Sequence, residues 1–168
     1  YSQSTQTELS PINGLSIDNT APQFNSSNVV IAYENNASIG YILSALDVDS
    51  NLTFMMFDQN DSDHFDFNSS SLVLDFNATK DYEVPSDENM DNNYTLRFGV
   101  QDSVGNQKDF NLTVVLMNVN EAPVFGANIF DNNLSINEDN VTVIEVLASD
   151  EDTADTLTYV ATSSSSDV

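Results

Sequence analysis

Acidic residues in this chain fall at the ends of apolar runs, in an order that repeats. Glu34 closes "VVIAYE", Asp47 and Asp49 follow "ILSAL", and Asp81 and Glu83 stand before a long polar loop. Asp102 follows "YTLRFGVQ", Asn118, Asn120 and Glu121 lie in "NVNE", and Asp150 and Asp152 follow a further apolar run. Carboxylates about 4 Å apart repel by on the order of 1–4 kcal/mol even when well screened. Gathering several of them without a neighbouring base calls for a hard divalent cation. Calcium takes about six to eight oxygens, from carboxylates, carbonyls and Asn amides, in flexible geometry. The Asp-x-Asp spacing suits it, because alternate side chains of an extended chain point the same way. Magnesium prefers a strict octahedron and keeps its waters, so it suits a many-carboxylate cage less well. Calcium is the expected cofactor.

Other chemistries find little support. His64 is the only histidine, so histidine–metal sites and a Ser-His-Asp triad are not expected, and His64 itself reads as a surface residue. A carboxylate pair can cleave glycosides, but these acids fit a metal cage better and no cleft-forming insertion is visible. No enzymatic activity is expected. Twenty-seven acids against three bases give a net charge of −24, which repels nucleic acid and anionic membrane surfaces. The absence of cysteine excludes disulfides and thiolate zinc. No apolar run reaches the ~18 residues of a membrane span. The start at Tyr1 and the end in "TSSSSDV" suggest a piece of something longer.

The elements that must position these acids are strands. From Ala21 on, the runs "VVIAY", "IGYILSAL", "LTFMMF", "FDFNSSSLVLDF", "YTLRFGV" and "FNLTVVLMNV" alternate in polarity or are wholly apolar. Asn, Asp, Ser and Gly clusters separate them, and no segment carries a helical apolar stripe. That pattern predicts a seven-stranded antiparallel Greek-key β-sandwich of immunoglobulin size. Loops gather at the two poles of a sandwich. Glu34, the Asp81-Tyr82-Glu83 turn and the 118–121 linker can therefore meet at one pole.

Part of the sequence is said twice. "APQF" at 21–24 returns as "APVF" at 122–125, 101 positions later, about one domain's length. Each copy reads Ala-Pro, a strand ending at Glu (Glu34, Glu138), a second strand, then Asp-x-Asp. Residues 1–20 read as the tail of a preceding repeat and its linker, 21–119 as one complete repeat, and 120–168 as a linker and the first half of a second repeat. The second copy carries the strand-like "LTYV" at 157–160.

The series "APQF…YEN…ALDVDS…KDYE…VQDSVGN…NVNEAPVF" resembles the cadherin repeat, especially its microbial cadherin-like branch. The resemblance covers 21–125, with partial coverage to about 160. It implies calcium bound between successive repeats. The downstream site it implies is Glu34, Asp81, Glu83, Asn118, Asn120, Glu121, Asp150 and Asp152. The upstream site is Asp47, Asp49 and Asp102, with Asp18 or Asn19 as linker ligands and the rest from the preceding repeat. Two positions depart from the family pattern: Lys80 replaces an apolar residue before "DYE", and Asn118 stands where Asp is common.

The function implied is a calcium-rigidified tandem repeat of an extracellular, cell-surface adhesion protein, with homophilic adhesion as one use. Its partners are then adjacent repeats of the same chain, and like molecules or surface polysaccharide. The alternative is a calcium-dependent carbohydrate-binding or spacer module of a secreted enzyme. The chain has no Trp and its six Tyr are scattered, which offers that alternative little stacking surface.

Overall fold

A computed structural model describes residues 18–48, 51–126, 137–139 and 145–162. The first unit is a sandwich built from nine short strands. They are β1 (Gln23–Phe24), β2 (Val29–Tyr33), β3 (Tyr41–Ile42), β4 (Ala45–Leu46), β5 (Thr53–Met56), β6 (Phe65–Asn68), β7 (Val73–Phe76), β8 (Asn93–Gln101) and β9 (Gln107–Met117). Broken runs β1/β2 and β3/β4 each fill one strand position, so nine segments make seven strands, as the sequence pattern predicts.

One face has the order β2-β9-β8-β5 and the other the order β3-β7-β6, while β1 and β4 form a separate two-stranded pair. Among the described residues all pairings are antiparallel except one: β2 runs parallel to β9, with Ile31 opposite Val115. The chain leaves β1, crosses to the four-stranded face and reaches the free edge of β9 already running in β9's direction. This parallel pair carries Glu34 and Asn118 to the same pole, because both segments exit it side by side. Glu34 N–H continues the ladder, donating to the Met117 carbonyl at 3.1 Å.

Inward-facing residues of the two sheets form the core. Leu43, Leu74, Tyr94, Leu96, Phe98, Leu112 and Val114 are wholly buried, each worth about 1.5–3 kcal/mol relative to exposure. Phe65 stacks on Phe76 at 4.7 Å, and Tyr94 meets both rings edge-on. Phe24 of the "APQF" stretch stacks on Phe110 at 4.6 Å and closes one end of the core.

The lone histidine is not a free surface group. His64 packs edge-on against Tyr94 and lies 3.2 Å from Lys80 Nζ. Lys80 is only 8% exposed and spreads over the Phe76 and Tyr94 rings. The aliphatic stem of Lys80 does the work of the apolar residue it replaces. Burial lowers its ammonium pKa, an effect that nearby Asp63 opposes.

The second copy begins as the first does. β10 (Val124–Phe125) pairs antiparallel with β11 (Ala148–Ser149), Phe125 opposite Ala148 and Val124 opposite Ser149. In the first copy Phe24 lies opposite Ala45 and Gln23 opposite Leu46. Even the next bond corresponds: Asn25 N–H donates to Ser44 O, and Gly126 N–H to Leu147 O. The "LTYV" run forms no ladder among the described residues; only the Tyr159 hydroxyl, accepting from Ala148 N–H, ties it to β11. A strand needs a neighbour, and the described part of this copy offers that run none.

Candidate metal centre

Two carboxylate clusters lie at the ends of the sandwich. In one, Glu34, Asp81 and Glu83 each bring an oxygen within 4.8 Å of the others. In the other, Asp18, Asp47 and Asp102 do the same. Neither ion pair among the described residues, His64–Asp63 and Arg97–Asp109, involves Glu34, Asp81, Glu83, Asp18 or Asp102.

Glu34 organises the first cluster. It is 3% exposed, not a solvated strand end. Its two oxygens accept the backbone N–H groups of Tyr82 and Val119, each at 2.7 Å. One carboxylate thus joins the 81–83 turn to the linker. Asp81 caps its own turn by accepting Val84 N–H at 2.9 Å. The turn is further held by Asn35 N–H, donating to Lys80 O at 3.0 Å. Asn35 adopts φ 59°, a left-handed conformation that Asn tolerates.

The linker and the second copy close over this cluster. Asn118 Nδ2 donates to Glu83 Oε1 at 2.6 Å and to Asp152 Oδ1 at 2.8 Å. Glu121 N–H donates to Asp152 Oδ2 at 2.8 Å, and Asn35 Nδ2 to Glu121 Oε1 at 2.5 Å. Asp150 accepts Asp152 N–H at 3.2 Å, the turn expected of Asp-x-Asp. Asn120 is exposed, and its amide donates to the carbonyl of Glu121 instead of to a carboxylate.

The electrostatics are those of a crowded anionic site. Desolvation, then the charge of Glu34, raises the pKa of Glu83. The same two causes raise Glu121. Asp152 is lowered, chiefly by the Asn118 amide and the Glu121 N–H. Glu83 Oε2 and Glu121 Oε2 are buried yet accept no hydrogen bond. Buried anionic oxygens without donors are costly. The donor set is all oxygen, drawn from carboxylates and amides, and suits a hard cation such as calcium. The residues fit.

The second cluster is anchored by the β8–β9 hairpin. Asp102 Oδ1 accepts the N–H groups of Val104, Gly105 and Asn106 at 2.7–2.9 Å. Gly105 at φ 100° makes that tight turn possible. Burial acts to raise the Asp102 pKa, but the Asn106 amide and these N–H groups outweigh it and lower the value. Asn106 Nδ2 also donates to Asp18 O at 3.2 Å, tying the upstream linker to the hairpin. Asp18 Oδ2 is buried without a donor. Asn19 is exposed, and Asp49 lies outside the described residues.

Asn35 and Asn106 are absent from the residues named on sequence grounds. Asn35 stands within "YEN", directly after Glu34, and Asn106 closes "DSVGN", so both were in view as motif letters without a role.

The fold is shared with solved structures. The chain matches human protocadherin-24 EC1-2 at TM-score 0.56 and 24% identity, over 79% of this chain and 62% of that one. A second crystal structure of the same fragment matches at 0.53 and 25%, over 79% and 61%. Drosophila N-cadherin EC1-4 matches at 0.55 and 23%, over 79% and 34%. The chain folds as a cadherin repeat. It spans under two thirds of the length of each of these cadherin ectodomain fragments. No protein-family model matches the sequence, and no curated protein matches it.

Proposed function

We propose that this cadherin repeat is a calcium-rigidified unit of an extracellular adhesion protein. In this reading residues 21–119 are one repeat, 120–168 a linker and the beginning of the next, and 1–20 the end of the one before. The observation that carries it is the convergence of Glu83, Asn118, Glu121 and Asp152 around Glu34, two of them with buried oxygens that no donor meets.

Glu34, Asp81, Glu83, Asn118, Glu121 and Asp152 would hold the downstream ion, with Asp150 and Asn120 beside them. Asp18, Asp47, Asp49 and Asp102 would contribute to the upstream one. A bound calcium supplies positive charge where these carboxylates otherwise repel. The chain's own residues do the rest. Glu34 holds the turn and the linker in one place, and Asn118 ties Glu83 to the next copy. With their repulsion relieved, the linker segments pack closely and the joint between repeats stiffens. A row of such joints holds an adhesive end away from the cell surface, and like repeats on facing surfaces are natural partners.

The test is a melting curve of the chain in millimolar calcium and in excess chelator. Stabilisation by calcium is expected, because a ligand that binds only the folded state raises its stability by mass action. Identical curves overturn the proposal.

A further inference from the structure

We infer that Asn92, which lies outside every motif noted in the sequence, is a positioning residue that sets the cation affinity of the junction without being a ligand. The inference rests on the calcium reading above. Asn92 is 7% exposed, at the foot of the 84–92 loop. Its Nδ2 donates to the Tyr82 carbonyl at 2.9 Å. Its backbone carbonyl accepts Leu116 N–H at 2.9 Å. Its own N–H donates to Asp87 Oδ1 at 2.9 Å, while Asp87 Oδ2 accepts Asp91 N–H at 2.9 Å. Asp87 is itself buried, so the loop end is anchored within the protein and not in solvent.

Tyr82 stands between Asp81 and Glu83, and Leu116 stands two residues before Asn118. Asn92 therefore holds both backbone segments that carry the downstream carboxylates and amide. Glu34 holds the same two segments at neighbouring points, through Tyr82 N–H and Val119 N–H. Both polar groups of the Tyr82 backbone are thereby committed: the N–H to Glu34, the carbonyl to Asn92. With them fixed, the Asp81 and Glu83 carboxylates are presented in one orientation relative to Asn118.

The residue type follows from two demands. Asn92 has φ 61°, where Gly and Asn are tolerated and most side chains are strained. The position also needs a donor aimed at a carbonyl. Gly meets the first demand only. Asp would turn an oxygen toward the Tyr82 oxygen. The Asn92 Oδ1 accepts no hydrogen bond, so the donor is the functional end of the amide.

The experiment measures calcium affinity by calorimetry on the full chain, metal-free at the start, in an Asp47→Asn background that disables the other cluster. Measurements are made at a temperature where every variant is fully folded by circular dichroism. Asn92→Gly keeps the backbone conformation and deletes the donor; Asn92→Asp keeps the shape and reverses the polarity. Both are expected to bind calcium about 10–100-fold more weakly, the usual effect of removing an outer-shell support. A merely structural role would lower the metal-free melting temperature and leave this affinity unchanged. Affinities within about twofold of the parent in both variants overturn the inference. An Asp81→Asn arm separates the two claims: loss of binding there keeps the calcium reading even when Asn92 proves irrelevant, and retained binding there overturns both.

Discussion

The Asn118 amide reaches Asp152 at 2.8 Å across 34 residues of chain, while the same nitrogen holds Glu83 at 2.6 Å. A neutral donor thus stands between two anions where the cadherin pattern commonly has a third anion. Asn118→Asp should remove both bonds and add a repelling charge. The metal-free chain should melt at a lower temperature, and the rise on adding calcium should exceed that of the parent. Paired melting curves check this.

Removing a carboxylate from the junction should weaken binding without unfolding the sandwich. Asp81 and Glu83 lie on a turn at the pole, away from the core formed by Leu74, Tyr94 and Phe98. Asp81→Ala and Glu83→Ala should each reduce calcium affinity by at least about tenfold, since ligand charge count sets affinity at such sites. Calorimetry gives the affinity, and near-ultraviolet circular dichroism checks that the aromatic core stays packed.

Acidity should work against calcium. Glu83 and Glu121 have pKa values raised above 4.5 by desolvation and by Glu34. Between that value and the raised one, the folded chain holds more protons than the unfolded chain. Stability of the metal-free protein should therefore fall as pH rises through this window. Calcium binding must displace those protons. The gain in melting temperature from calcium should be smaller at pH 5 than at pH 7.5, measured on chain freed of metal by dialysis.

The core should behave independently of the ion. Leu74→Ala leaves a cavity at a fully buried position between the sheets. It should cost about 2–5 kcal/mol. Urea denaturation in calcium and in chelator should give the same loss, because residue 74 touches neither cluster.

The strand runs were readable because their period-two patterns are strong and the turns between them are rich in Asn, Asp, Ser and Gly. Glu34, Asp47 and Asp102 were readable as pole residues because each directly follows an apolar run, and Asp81 and Glu83 because they stand just before a long polar loop. The parallel β2–β9 pair was not, since alternation reports which face is buried and says nothing of strand direction. His64 was expected at the surface, and Lys80 was noted only as a departure from the family pattern. Polarity predicts exposure, yet the Lys80 stem and the His64 ring fill space against Tyr94. Asn92 carries no sequence signal, because its bonds to Asp87, Tyr82 and Leu116 follow from the fold and "DENMDNN" looks like any other polar loop.

The matching registers of β1–β4 and β10–β11 have an evolutionary consequence. Each copy carries its Asp-x-Asp 25 or 27 positions after the proline of its Ala-Pro, and the first copy carries Glu34 at the opposite pole. Unequal recombination that inserts or deletes a whole module therefore rejoins compatible halves. On the calcium-joint reading proposed above, the length of such an array can drift over generations while each seam keeps its ligands.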